Sequence, residues 1–137
     1  MKDIKVELFA LCQGAHNLNG HLTVVNTMDE FVVSSFPARI SFGLAIKLYV
    51  KAKVEGYKVL SVSIIDKSAS IHATDREDFS FPEFKTSFHL DRLDKPSHIN
   101  IAFNLQNVLF EKEGSYDIHL ELDGKRLDDF AFEVTKE

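Results

Sequence analysis

Ile40-Ser41-Phe42-Gly43-Leu44-Ala45-Ile46-Lys47-Leu48-Tyr49-Val50-Lys51-Ala52-Lys53-Val54 is the stretch that decides the fold. Its even positions from Phe42 to Val54 are all apolar, while the odd positions carry Ala45, Lys47, Tyr49, Lys51 and Lys53. A period of two over that length specifies an extended strand with one buried and one wet face. A helix would need apolar residues at every third or fourth position, and the lysines interrupt that stripe. Strands usually run five or six residues, so Gly43 near the start marks a bulge or bend.

Downstream, Lys58–Asp66 repeats the pattern, with Leu60, Val62 and Ile64 alternating with Ser61 and Ser63. Lys58–Asp66 is the expected hairpin partner of the first segment, and register selects the turn. A Glu55-Gly56 loop would put Leu60, Val62 and Ile64 on the wet face. A Glu55-Gly56-Tyr57 loop pairs Ala52 with Leu60, Val50 with Val62 and Leu48 with Ile64, and the apolar pattern predicts this second arrangement. Upstream, Ile4–Cys12 reads as a strand with Val6, Leu8, Ala10 and Cys12 on one face. Phe9 and Leu11 occupy the other, so its end is covered on both sides. Gln13–His21, bounded by Gly14 and Gly20 and rich in asparagine, reads as a loop. Leu22–Thr27 and Glu30–Ser34 follow as strands, and Phe36-Pro37 breaks the pairing.

Beyond Asp66, a short strand is expected at Ile71–Ala73, and Thr74–Pro82 is the least regular segment. Phe84–Leu90 and His98–Leu105 are predicted to form a hairpin around Asp91–Pro96, with Phe88 opposite Ile99, Thr86 opposite Ile101 and Phe84 opposite Phe103. The last hairpin joins Tyr116–Leu122 to Lys125–Val134 through Asp123-Gly124, a strong type I′ signal. It sets Leu120 against Leu127 and Glu121 against Arg126. A bulge at Asp128-Asp129 then pairs Ile118 with Phe130. Turn signals about every ten residues give an all-β, two-sheet antiparallel sandwich of roughly seven to nine strands, immunoglobulin-like or C2-like, as one domain over 1–137.

Composition narrows the function classes. The 137 residues are 45% apolar and 27% charged, with a net charge of −5. A nucleic-acid partner needs a basic face to displace counterions, and a membrane-surface helix needs clustered lysines; the lysines here are spread along strand faces. Cys12 is the only cysteine, which excludes an internal disulfide and suits a reducing compartment. The apolar run before it is too short for a signal peptide and ends on Leu11 where a small residue is needed, so a cytoplasmic setting is expected.

Six histidines raise the question of a metal. The predicted hairpin sets His89 opposite His98 on an outer face, the spacing of a shared zinc or nickel site. No third ligand accompanies them, so they read first as surface histidines, and no cofactor is expected. His16, His21 and His119 read as solvated. The acidic groups Asp75-Glu77-Asp78, Asp91-Asp94 and Asp128-Asp129 follow no calcium-loop spacing, and Arg76 and Arg92 lie among them. No nucleophile elbow or phosphate-binding glycine loop occurs, so no residue is assigned to catalysis. Phe79-Ser80-Phe81-Pro82-Glu83-Phe84 stands out in polar surroundings. Phe79, Phe81 and Phe84 either plug an open end of the sandwich or form an apolar patch for a protein partner or a second copy.

The pattern Leu8-Phe9-Ala10-Leu11-Cys12, then Gly20-His21-Leu22-Thr23-Val24, Phe36-Pro37, Gly56 to Asp66, Leu105–Phe110, Gly114-Ser115-Tyr116 and Asp123-Gly124 covers nearly the full chain. It resembles a widespread family of small bacterial proteins described as a domain of unknown function. The resemblance implies a bacterial source and a compact β-sandwich, and carries over no catalytic residue. Lys67-Ser68-Ala69 lacks the glycine that members often show after the aspartate matching Asp66. Gly114-Ser115-Tyr116 also resembles the tyrosine corner of immunoglobulin-like domains, a likeness of architecture only without the paired cysteines and central tryptophan. The expected function is a non-catalytic interaction or structural module. The alternative is a metal- or small-ligand-binding sandwich using the outer-face histidines or acidic loops.

Overall fold

A computed structural model of the chain describes residues 3–67 and 81–137. Among these residues are nine strands: β1 (Ile4–Leu18), β2 (His21–Thr27), β3 (Glu30–Val33), β4 (Ala38–Val50), β5 (Gly56–Asp66), β6 (Phe84–Leu90), β7 (Ser97–Phe110), β8 (Gly114–Leu122) and β9 (Lys125–Lys136). They form two sheets, of order β2-β1-β4-β7 and β3-β9-β8-β5-β6. The alternating segment supplies β4, whose Phe42, Leu44, Ile46, Leu48 and Val50 are all buried. Leu60, Val62 and Ile64 of β5 are buried with them in one core.

The all-β sandwich is as the alternation implies, but several pairings differ. β4 and β5 do not form a hairpin: β4 lies between β1 and β7, and β5 lies between β8 and β6. Leu48 therefore pairs with Ile99, and Ile64 with Ile118. The alternation identifies the face a strand buries and is silent on its neighbour. Two strands facing each other across the core satisfy it as well as two strands side by side. The same crossover separates β6 from β7, so Phe88 pairs with Lys58, and Phe84 with Val62, in the sheet opposite Ile99. One pairing is parallel, that of β3 with β9.

Gln13–His21 is not a loop. β1 runs to Leu18 and turns through Asn19-Gly20, both at positive φ (53° and 78°), into β2. Asn-Gly is the residue pair a type I′ turn demands. A register shift between Val6 and Leu8 moves β1 onto a new phase, so Phe9 and Leu11 join Ile4 and Val6 on the core side. Cys12 and Ala15 then join Ala45 in a second small cluster, with Leu22, Val24 and Ala102 packed against it. The last hairpin forms at Asp123-Gly124 and pairs Glu121 with Arg126 and Ile118 with Phe130. Its bulge falls one residue early: Leu120 faces Asp128, and Leu127 is the extra residue.

Asn104 ties the end of β1 to the sheet. It pairs with Gly43, its Oδ1 accepts from the Ala15 amide (3.1 Å), and its Nδ2 donates to the Ala15 carbonyl (2.8 Å). The side chain thus crosses β4 and substitutes for a ladder where β1 has left its neighbour. The crossing requires glycine at position 43, because a Cβ there would lie 2.9 Å from Asn104 Oδ1 and 3.0 Å from Gly14 Cα.

Tyr116 makes the tyrosine corner: its hydroxyl donates to the Lys112 carbonyl at 2.6 Å. Burial first, then the charges of Asp66 and Glu111, push its phenol up from 10.0 to about 12. The unfolded chain sheds this proton before the folded one does. Stability is therefore complete below the unfolded value of 10.0 and falls as the pH rises toward about 12. The loss is at most about 3 kcal/mol. Denaturant titrations across this range should show that decline in the wild type. Tyr116→Phe should lose about 1 kcal/mol at neutral pH with the hydrogen bond, and its stability should vary less with alkaline pH.

Candidate interaction site

Among the described residues, β6 and β7 end their sheets on the same side of the sandwich, joined by the connection from Asp91 to Pro96. Terminal strands keep one row of backbone N–H and C=O groups unpaired. The side chains they turn inward are also incompletely covered. Phe84, Phe88, Ile99, Ile101 and Phe103 are only partly buried, whereas inward-facing residues of the inner strands, such as Ile46, Leu60 and Ile118, have no exposed surface.

Phe81 closes one end of this opening. Its ring lies 5.2 Å from that of Phe110 and 5.8 Å from that of Tyr116, both fully inside the core. Phe84 is on β6 opposite Val62, and Phe79 lies outside the described residues. The structure thus gives Phe81 a packing partner within the chain and leaves Phe84 at the strand edge. Phe81→Asp should destabilise the domain by about 2–4 kcal/mol, since it would set a carboxylate against two aromatic rings. An unchanged denaturation midpoint would show that the ring contributes nothing to the core.

At the other end of the opening is a cleft of about 230 Å³ lined by both His89 and His98. They do not face each other across a hairpin. His89 pairs with Tyr57 in one sheet, and His98 with Tyr49 in the other, and both sheets end at the cleft. His89 Nδ1 lies 3.5 Å from Asp91, and His98 Nε2 lies 2.9 Å from Glu7. Each imidazole also meets a tyrosine edge-on, with centroids 5.2 Å apart for Tyr57–His89 and 5.6 Å for Tyr49–His98. Among the described residues no group of three or more histidine, cysteine, aspartate or glutamate side chains is placed to hold a metal ion.

The other histidines among the described residues are dispersed. His16 is opposite Thr23 and His21 opposite Leu18, on strands and not in a loop. His119 faces Asp129 and lies 3.8 Å from Asp117. Asp75, Glu77 and Asp78 fall outside the described residues. Asp129 is engaged by Arg126 at 3.6 Å. Cys12 has no exposed surface, and burial raises its thiol pKa. Sequence reading missed the β6–β7 opening. Its one available signal was the six-residue Asp91–Pro96 connection, as compatible with a crossover between sheets as with a hairpin.

A model for a family of unknown function, DUF6941, matches residues 7–135. The chain belongs to this family. No curated protein matches the DUF6941 chain in sequence. Among solved structures it is similar to the Pseudomonas fluorescens alkylpurine DNA glycosylase AlkC bound to DNA containing an abasic site analog, with a TM-score of 0.59 and 15% identity. That similarity covers 97% of this chain and 30% of the glycosylase. It is also similar to a β-glucosidase from Listeria innocua in complex with isofagomine, with a TM-score of 0.54, 12% identity, and coverage of 95% of this chain and 16% of the glucosidase. The DUF6941 chain therefore spans less than a third of the length of either protein, and at these identities the likeness is one of fold alone.

Proposed function

We propose that this DUF6941 domain is a non-catalytic protein-interaction module that takes an extended segment of a partner along the opening between β6 and β7. One observation carries the reading: among the described residues two terminal strands, one from each sheet, flank one opening with five inward-facing apolar side chains only partly buried. An added strand would satisfy the free backbone groups of one edge and cover that apolar surface in the same step. The single buried cysteine supports a reducing setting, the cytoplasm of a bacterium.

The test compares wild type with Phe88→Lys, an inward-pointing charge on the edge strand, and with the milder Thr86→Lys, both checked for folding by circular dichroism. Proteins captured by the wild type and lost by both variants are identified. Amide exchange is then measured on the purified complex. Protection gained along β6 or β7 supports the reading. Protection gained only elsewhere on the surface overturns it. A partner that proves to be a second copy of the chain would appear as concentration-dependent dimerisation in sedimentation, abolished by the same variants.

A further inference from the structure

We propose that the cleft at the end of the β6–β7 opening receives the C-terminal carboxylate and last apolar side chain of the partner segment, which runs antiparallel to β7. The inference rests on the interaction-module reading above and names the partner's chemistry. β7 begins at Ser97, which itself lines the cleft. A strand added antiparallel to β7 therefore travels from the Phe110 end toward Ser97, and its C-terminal end arrives at the cleft. The volume of about 230 Å³ suits one terminal residue, and lies below the roughly 300–1,000 Å³ of pockets that enclose larger ligands.

The lining has the two chemistries such an end requires. Val50, Val54, Leu90 and Ile99 offer apolar surface to a side chain. Lys51 offers a charged donor to a carboxylate, and His89 and His98 add one each in the imidazolium form. The Lys51 ammonium has no carboxylate partner among the described residues. Asp91 also lines the cleft, and it is turned to His89 Nδ1, as Glu7 is to His98 Nε2. Each imidazole is thereby oriented by one nitrogen, and its other nitrogen can donate to an anion only when the ring is protonated. Lys51 is the unanswered charge, and an anionic chain end complements it. Strand addition combined with capture of a terminal carboxylate unites two known modes of peptide recognition in one continuous surface.

The full chain is titrated against a fluorescein-labelled six-residue peptide that alternates threonine with valine and ends in leucine, prepared as free acid and as amide. Fluorescence anisotropy should show the acid binding roughly tenfold tighter, the effect of a charge-assisted contact. Lys51→Glu should remove that preference with the melting temperature unchanged. Equal binding of acid and amide, lost together in Phe88→Lys, would overturn the cleft inference and leave the edge reading intact. No binding of either peptide, with β6 and β7 still protected by a captured protein, would do the same. Competition by 4-methylpentanoate as effective as the peptide acid would assign the cleft to a free small carboxylate and overturn the chain-terminus proposal.

Discussion

Phe110→Ala should lower the unfolding free energy by about 3–5 kcal/mol, the range for removing a fully buried aromatic. Phe110 is the last residue of β7, and none of its surface is exposed. Its ring lies 5.1 Å from Tyr116, 5.2 Å from Phe81 and 6.0 Å from Phe132, so it joins both sheets at the end where Phe81 seats. Tyr116 is anchored through its hydroxyl to Lys112, which limits how far the surroundings can collapse into the space. Domains of this size are stable by about 5–15 kcal/mol, so the variant should retain a folded state with a much lower denaturation midpoint. The neighbouring Leu109, 37% exposed, is the control, and Leu109→Ala should cost less than about 1 kcal/mol. A loss below about 1 kcal/mol for Phe110→Ala would mean the aromatic cluster is not the keystone of this end.

The second large effect is expected at Gly43→Val. The new Cβ would meet backbone at Gly14 Cα (3.0 Å) and Ala15 N (3.1 Å), neither of which can rotate away as a side chain does. It would also press on Asn104 Oδ1 at 2.9 Å, the atom that accepts from the Ala15 amide. Overpacking costs about 1–3 kcal/mol, and each of the two Asn104 bonds adds about 1 kcal/mol when broken. A total of about 3–5 kcal/mol should accompany release of the β1–β2 hairpin from the sheet. Cys12 reports this independently. It is buried, with its thiol held in the protonated form, so a thiol reagent should leave the native wild type unmodified and label the variant. An unlabelled, fully stable Gly43→Val would show that the hairpin adjusts without detaching.

Much of this architecture is legible in the chain because alternation is a local property. Leu44, Ile46 and Leu48 announce their buried face, and Asp123-Gly124 its turn, from a few consecutive residues. Neighbour choice is not local. The Glu55–Tyr57 and Asp91–Pro96 connections each admit a hairpin within one sheet or a passage to the other, and the same apolar residues are buried either way. The Lys53 amide donates to the Leu93 carbonyl at 2.7 Å, which ties the first connection to the second instead of closing a hairpin. Asn19-Gly20 is a clear turn signal, but the polar residues around it hide the strand alternation on either side.

The candidate site was harder to see for a related reason. Phe81 and Phe84 are conspicuous by composition, but whether an aromatic is a plug or a patch depends on residues far along the chain, such as Phe110 and Tyr116. His89 and His98 do reach the same cleft, but from opposite sheets and each engaged with its own carboxylate. Spacing along a strand cannot encode a meeting between sheets.

The passages between sheets also bear on how quickly the molecule is made. Among the described residues only β1–β2 and β8–β9 join consecutive strands by tight turns, and every other ladder links segments well separated along the chain. Closing such distances costs entropy before any sheet contact compensates it. Refolding in stopped flow should therefore take milliseconds to seconds, as for other sandwiches rich in non-local pairing. Throughout that interval β6 and β7 lack the sheets they terminate. The side proposed to recognise a partner is then also open to unwanted pairing while the chain folds, and early occupation by its partner would serve as protection.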